Sequence, residues 1–389
     1  MTPPLAIYIH IPFCQRKCPY CDFNTYAGRE GQFDPFVQAL ANDILQTGEA
    51  LERPPVRTVF LGGGTPTVLA PQHLRTIFEA LHRGFDILPG AEITSEANPG
   101  TVDASRFETL RALGVNRLSM GVQSFDDEEL RFLGRIHTAE EARAAFHLAR
   151  QVGFENINLD FMFGLPGQSP DIWRNTLQRA IELEPEHLSL YSLTVEPGTA
   201  LAAWVARGQV SAPDPDLAAD LYEAAQLALA AAGFVQYEIS NWARGEMGDD
   251  LLPRFAARHN VVYWRNEPYL GFGPGAHGWF GGVRRAVVSD VEAYIRRVDA
   301  GESYWNLEEP IPLELEMGET MMLGLRLVQA GVERGAFRER FGLDATEAYP
   351  EQISALLAAK LIELTPQRLR LTPRALLIGN EVFAAFLPE

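Results

Sequence analysis

LAIYIHIPFCQRKCPYCDF, residues 5–23, runs an apolar, β-branched stretch straight into Cys14, Cys18 and Cys21. The stretch is strand length, and these three thiols are the only ones in 389 residues. A structural zinc site takes four protein ligands, usually in two pairs, and no second pair follows. His10 and Asp22 are too near the cysteines in sequence to complete a tetrahedron easily. A [4Fe–4S] cube has four irons, usually all held by thiolates. Three thiolates leave one iron open to a non-protein ligand. C-x3-C-x2-C directly after a first strand therefore points to a cluster that binds a substrate or cofactor.

Outward from this stretch, short apolar runs alternate with longer amphipathic ones. Strands are predicted at 5–13, 56–64, 91–99, 117–124, 156–164 and 187–194. Helices are predicted at 33–51, 74–85, 104–114, near 127–134, at 139–151, 169–183 and 216–234. Six strand-then-helix units in a row imply a parallel sheet with helices outside, either an open doubly wound sheet or an incomplete (βα) barrel. In both, chemistry gathers at the C-terminal ends of strands. Beyond about residue 235 the alternation fails, and the chain becomes rich in aromatics, glycine and turn residues. From 311 onward it reads as amphipathic helices around a hairpin at 361–372, a winged-helix-like pattern. The reading divides the chain into a core at 1–240, an aromatic and Gly-rich extension at 241–310, and a helical domain at 311–389.

The formal charge is -18, from 33 basic and 51 acidic residues. Such a balance repels a phosphate backbone, so no nucleic-acid partner is expected. The N-terminus has no cationic n-region or small-residue cleavage site. No apolar run reaches the ~20 residues of a membrane helix, so an integral membrane protein is not expected. A cytoplasmic location follows as the expectation. In that reducing compartment, clustered cysteines serve metal or redox chemistry rather than disulfides.

C-x3-C-x2-C with Tyr20 before the third cysteine resembles the radical S-adenosylmethionine (SAM) superfamily. The resemblance implies a partial (βα)6 TIM-like barrel with a [4Fe–4S] cluster on Cys14, Cys18 and Cys21. SAM is then chelated at the open iron, and the reduced cluster cleaves its carbon–sulfur bond to give a 5′-deoxyadenosyl radical. Further positions match in chain order. Tyr8, the first strand residue expected to touch cofactor, and Tyr20 of the cysteine motif are candidate SAM contacts. GGGTPT (62–67) supplies Gly63, Gly64 and Thr65 at a turn that meets the amino group of SAM in that superfamily. Its glycine amides are expected to approach the ligand closely. Glu96, in SEANP, fits the ribose hydroxyls, and Gln123, in GVQS, a second polar contact. Arg135, in LGRIH, fits the cofactor carboxylate, and Asp160 lies on the fifth strand.

YIHIPFC, GGGTPT, GVQSF, LGRIH and GLPGQ together resemble one branch of the superfamily. It holds the oxygen-independent coproporphyrinogen III dehydrogenases and their relatives, the heme chaperones of the HemW type. The dehydrogenase pattern continues to a fourth cysteine, where this chain has Phe23, and carries a long N-terminal extension, whereas Tyr8 here stands near residue 1. HNVVYW (259–264) matches the HNxxYW motif of the chaperones. That resemblance implies heme as ligand, with His259 as candidate iron ligand and Tyr263 and Trp264 packing on the porphyrin. His277 is a second candidate, read as a structural residue of a glycine turn. His10 is read as orienting the cluster loop, and Asp22 as a turn or capping residue.

The resemblance implies a heme chaperone that delivers heme to respiratory proteins, acting peripherally at the membrane during delivery. It also implies reduction by a flavodoxin or ferredoxin and a monomer–homodimer equilibrium. The rival enzyme reading is radical oxidative decarboxylation of coproporphyrinogen III. A third, RNA modification, is disfavoured by the acidic charge.

Overall fold

The computed structural model describes residues 4–388, which fall into two compact units. The first comprises Met1–Ala225 with Pro268–Glu309, the second Gln226–Glu267 with Pro310–Glu389.

In the first unit six strands, β1 (Leu5–Ile11), β2 (Pro55–Gly63), β3 (Asp86–Ala97), β4 (Arg117–Gln123), β5 (Ile157–Phe163) and β6 (His187–Ser192), pair in parallel in chain order. β1 and β5 are buried at six of seven positions, as strands covered on both faces must be. The helices that follow these strands are α1 (Phe33–Ala50), α2 (Pro71–Gly84), α3 (Ala104–Ala112), α4 (Asp127–Phe132), α5 (Ala139–Gln151), α6 (Pro170–Glu182), α7 (Ala200–Ala206) and α8 (Pro215–Ala231). Their starts are written locally. Asp103 accepts from the Arg106 amide, Ser169 precedes Pro170 at the first helical position, and Thr138 with Glu141 forms a reciprocal capping box.

The chain then forms the hairpin strands β7 (Val235–Glu238) and β8 (Asn241–Ala243) and helix α9 (Arg258–Trp264), all in the second unit. It returns to the first unit as β9 (Tyr269–Phe272), β10 (His277–Phe280), β11 (Val283–Val287), α10 (Val291–Ala300) and β12 (Trp305–Pro310). β9 lies parallel to β1 on the edge away from β2, and β10 and β11 continue antiparallel. The strand order in this unit is β12-β11-β10-β9-β1-β2-β3-β4-β5-β6, so the cluster strand is interior to the sheet. This is a partial (βα)6 barrel, extended on one side by strands that the aromatic and glycine content of 241–310 conceals.

A buried clamp fastens α1 to that returning segment. Tyr294 and Tyr304 both donate to the Asp43 carboxylate, at 2.7 and 2.5 Å. Burial pushes the Asp43 carboxyl up to about 6, against the pull of the two phenols. The folded state therefore holds a proton more tightly than the unfolded chain, and this group's contribution falls as pH rises from about 4 through 6. Asp43→Ala should cost about 2–3 kcal/mol, from two buried phenols left without an acceptor. It should also flatten that part of the stability profile. Urea midpoints for both proteins at pH 4.5 and 7 test this, and identical slopes would disprove the clamp's titration.

The second unit ends in α11 (Leu313–Gly324), β13 (Val332–Glu333), α12 (Arg334–Phe341), α13 (Ala345–Ala348), α14 (Pro350–Ala358), β14 (Ile362–Leu364), β15 (Arg368–Leu371) and α15 (Gly379–Ala384). β13, β15 and β14 form an antiparallel sheet over a core that includes Met321, Phe337, Ile353, Leu369 and Phe383. The domain is winged-helix-like, with the predicted 361–372 hairpin in place. Among the described residues no helix is long and apolar enough to cross a membrane.

Candidate cluster and cofactor site

Strand register assembles the site. Ile11 pairs with Gly63, Glu96 with Ser119 and Gly121 with Asp160, so the chemical residues of β1–β5 reach the same end of the sheet. Beyond Ile11 the cluster loop is closed at its base by Cys14 N–H donating to Tyr26 O and Tyr26 N–H to Pro12 O, at 2.9 and 2.8 Å. His10 Nε2 lies 2.9 Å from Asn24 O, and the Asn24 amide donates to Pro274 O and Ser289 O. Lys17 Nζ reaches the carbonyls of Phe23 and Thr25, both at 3.3 Å. Burial pushes the His10 imidazole below its usual range, so it is neutral and acts as a spacer.

The glycine turn is bolted to this loop. Gly64 N–H donates to Ile11 O at 2.9 Å and Thr65 N–H to Phe13 O at 2.8 Å, while Thr65 Oγ is 3.5 Å from Cys14 Sγ. Gly63 N–H donates to Glu96 Oε2 at 3.0 Å. The sequence reading had the glycine amides approaching a ligand, but those of Gly63 and Gly64 are already taken within the protein. What the glycines bring is space. Gly63 has φ +97°, and a Cβ there would lie 2.2 Å from His10 Nδ1. At Gly64 a Cβ would meet Ile11 O at 2.5 Å.

A cavity of about 330 Å³ opens here, lined by all three cysteines with Tyr20, Gly63, Gly64, Thr65, Glu96, Gln123, Arg135 and Asp160. Eleven of the thirteen residues expected from the sequence thus share one space. Tyr8 stands immediately behind it, its hydroxyl 2.8 Å from His10 Nδ1 and against Gly63. The cavity also takes in Asn98, Ser119, Met162, Tyr191 and the exposed Phe23. Ser119 and Asn98 could have been anticipated from strand ends already singled out, but Tyr191 carries no local signal. His137 of LGRIH is buried between Asn98 Oδ1 and Val122 O, and fixes two of these strand ends together.

Burial first, and the Asp160 carboxylate second, push Glu96 up to about 8, and burial also raises Asp160. Asn158 and Ser119 donate to Asp160, holding it in place. Two half-buried carboxyls that repel one another are poor neighbours for an anion and good acceptors for neutral hydroxyls. Arg135 donates to Gly121 O at 2.7 Å and lies 3.4 Å from Cys18 Sγ, while its buried Nε has no partner among the described residues. That orphaned N–H in the cavity wall is a donor waiting for an acceptor. Gln123 sits at φ +72°, a strained backbone for a residue other than glycine, as ligand-contacting positions often are. Three half-buried free thiols, hydroxyl-accepting carboxyls and an unpaired guanidinium donor fit a [4Fe–4S] cluster and SAM.

Outside this cavity lies His259, on α9 in the second unit. It is 1 % exposed, with Nε2 2.8 Å from Tyr263 Oη and the two rings edge to face. Trp264 has the Arg326 guanidinium 4.5 Å over its ring. His259, Val261 and Val262 of HNVVYW are buried in the unit's interior, while Asn260, Tyr263 and Trp264 are half-buried. His277 is exposed on β10.

The radical SAM superfamily profile matches residues 8–180, and the HemN C-terminal domain profile matches 311–378. The chain is 39% identical to the heme chaperone HemW of Bacillus subtilis, over 99% of both chains. It is 45% identical to that of Escherichia coli, over 71% of this chain and 70% of the relative. The chain belongs to the HemW family. A mouse relative, "Radical S-adenosyl methionine domain-containing protein 1, mitochondrial", is 35% identical over 99% of this chain and 87% of its own. Among solved structures, the radical SAM coproporphyrinogen III oxidase HemN of E. coli superposes with a TM-score of 0.85. The alignment covers 99% of this chain and 90% of that one at 24% identity, a likeness of fold.

Proposed function

We propose that this chain is a heme chaperone on a radical SAM scaffold. In this reading Cys14, Cys18 and Cys21 hold a [4Fe–4S] cluster whose open iron binds SAM, and the chain accepts heme and passes it to respiratory proteins. When bound, the cluster supplies the single electron that cleaves the carbon–sulfur bond of SAM. Glu96 and Asp160 accept from the ribose hydroxyls, Arg135 pairs with the cofactor carboxylate, and Gln123 adds a polar contact. Tyr8 and Tyr20 brace the turn and the cluster loop. The protein works in the cytoplasm, reaches the membrane only to deliver heme, draws electrons from a flavodoxin or ferredoxin, and forms homodimers reversibly.

The observation that carries this reading over the decarboxylase is the cluster loop combined with full-length kinship. Where the dehydrogenase pattern has a fourth cysteine, Phe23 stands 60 % exposed, and near-full-length relatives are named as heme chaperones. The test is an anaerobic absorbance titration of the cluster-loaded chain with heme. A saturable Soret shift at one heme per chain is expected. Absence of saturation, together with coproporphyrinogen turnover under reduction, would transfer the chain to the decarboxylase reading. His259 of HNVVYW is the candidate iron ligand in this reading, and ligation would require its buried ring to part from Tyr263.

A further inference from the structure

Within the first unit a second cleft, of about 640 Å³, opens onto the cluster loop from outside the cofactor cavity. Cys18 and Cys21 line both spaces, whereas Glu96, Gln123, Arg135 and Asp160 line only the cavity. A body seated in the cleft thus reaches two of the three thiols without displacing what the cavity holds. Three cations line it, Arg16, Lys17 and Arg131, against one carboxylate, Asp22, in a chain of net charge -18. Arg16 is exposed and forms no ion pair among the described residues. Arg131 has only Glu128, 3.7 Å away on its own helix, and an exposed pair of this kind neutralises little. The Lys17 ammonium donates to the Phe23 and Thr25 carbonyls, which leave its charge uncompensated. The thiol loop of an acidic chain therefore carries a local field of the opposite sign. Half-buried Trp204 and Phe132 add apolar wall. Leu201 N–H donates to Pro19 O at 2.9 Å, which ties this wall to the cluster loop.

We propose that this cleft is the docking face for an acidic one-electron carrier protein, steered by Arg16, Lys17 and Arg131 and seated on Trp204 and Phe132. The proposal rests on the reading of Cys14, Cys18 and Cys21 as cluster ligands, and it names where their reductant binds. One electron leaves the reduced carrier and takes the cluster from the 2+ to the 1+ state, with no bond made and no proton moved. Charge selects the occupant. A carrier whose redox centre is rimmed by carboxylates meets the cations here, while the net charge of -18 repels it from the rest of the surface. Arg16 and Lys17 stand between Cys14 and Cys18 in the chain, so the groups that hold the carrier lie where its electron must arrive.

The test uses the full chain and an acidic flavodoxin. Calorimetry with oxidised flavodoxin reads docking, on the cluster-loaded and the metal-free chain alike, and anaerobic stopped-flow absorbance with reduced flavodoxin reads electron entry. Arg16→Glu/Arg131→Glu should weaken docking about tenfold or more at low salt and slow reduction by a similar factor, as loss of electrostatic steering implies. Arg131→Glu alone, on α4 and outside the thiol loop, should do the same by less. Both differences should fade towards 1 M salt, where the screening length falls to about 3 Å. Reduced methyl viologen, a small cation, should reduce the double variant at least as fast as the wild type. Wild-type docking and reduction in the double variant overturn the cleft, as does a deficit that salt leaves unchanged. Equal slowing with flavodoxin and viologen also overturns it, because the substitutions would then have altered the cluster rather than the dock. A wild-type chain that takes up no iron would sink the cluster reading instead, and flavodoxin docking on that metal-free chain would still support the cleft as a dock.

Discussion

Gly63→Ala is expected to cost the chain about 3 kcal/mol and to prevent stable loading of the cluster. The position is held at φ +97°, which for alanine costs of order 1–3 kcal/mol. The added methyl would lie 2.2 Å from His10 Nδ1 and 2.9 Å from Tyr8 Oη. His10 cannot swing aside freely, because its other nitrogen is engaged by Asn24 O and the ring is buried. Overpacking of this kind adds about 1–3 kcal/mol unless the backbone yields. If the turn yields, Gly63 N–H leaves Glu96, Gly64 N–H leaves Ile11 O, and the cluster loop loses its frame. Denaturation midpoints and iron per chain after reconstitution are the measurements. His10→Ala in the Gly63→Ala background should recover part of the stability, since it removes the obstacle though not the strain. A Gly63→Ala protein with wild-type stability and iron content would refute the argument.

Asp344→Ala should be the most damaging single change in the second unit, at about 3 kcal/mol or more. Asp344 is 3 % exposed and accepts from Arg334, Arg338 and both the amide and hydroxyl of Thr346. Glu347 returns a bond to its amide, closing a capping box on α13. Removing the carboxylate strands two guanidinium groups, and breaking a buried pair from one side typically costs about 3–5 kcal/mol. Arg338 is more than half exposed and regains water, which places the expectation near the lower end. Burial alone would raise this carboxyl, but the Thr346 bonds and the Arg334 charge outweigh it and hold it at about 2. A depressed carboxyl stabilises above its unfolded value near 3.8 and loses that contribution as pH falls towards 2. The gap between wild type and Asp344→Ala in urea should therefore be full at pH 7 and shrink below pH 4. A pH-independent gap would mean that packing, not charge, is lost.

Much of the barrel was legible because its strands are short, β-branched and doubly buried, and because each chemical motif follows one of them. The cysteine spacing and the strand-end residues Glu96, Gln123 and Asp160 were singled out by resemblance, and their meeting at one end of the sheet agrees with the rule that parallel sheets present their chemistry at C-terminal ends. The role of the glycine amides was misread because hydrogen bonding between Gly64 and Ile11 is a long-range pairing with no local signature. β9–β12 were hidden for a related reason: strands of four to six residues, the first three joined by glycine turns, show too few alternations to register. The burial of His259 was equally out of reach. An i, i+4 bond to Tyr263 fits the sequence, but whether that helix face points into a core depends on partners 60 or more residues away, such as Leu327 and Ala330.

The loop that carries the three thiols is laced to the barrel by Gly64, Thr65, Tyr26 and His10, none of which needs metal to do so. Its order is lent by the protein, in contrast to small metallodomains whose folding waits on their ion. A group seated on the three thiols would therefore rest on a frame that backbone hydrogen bonds from the neighbouring turn and strand already supply.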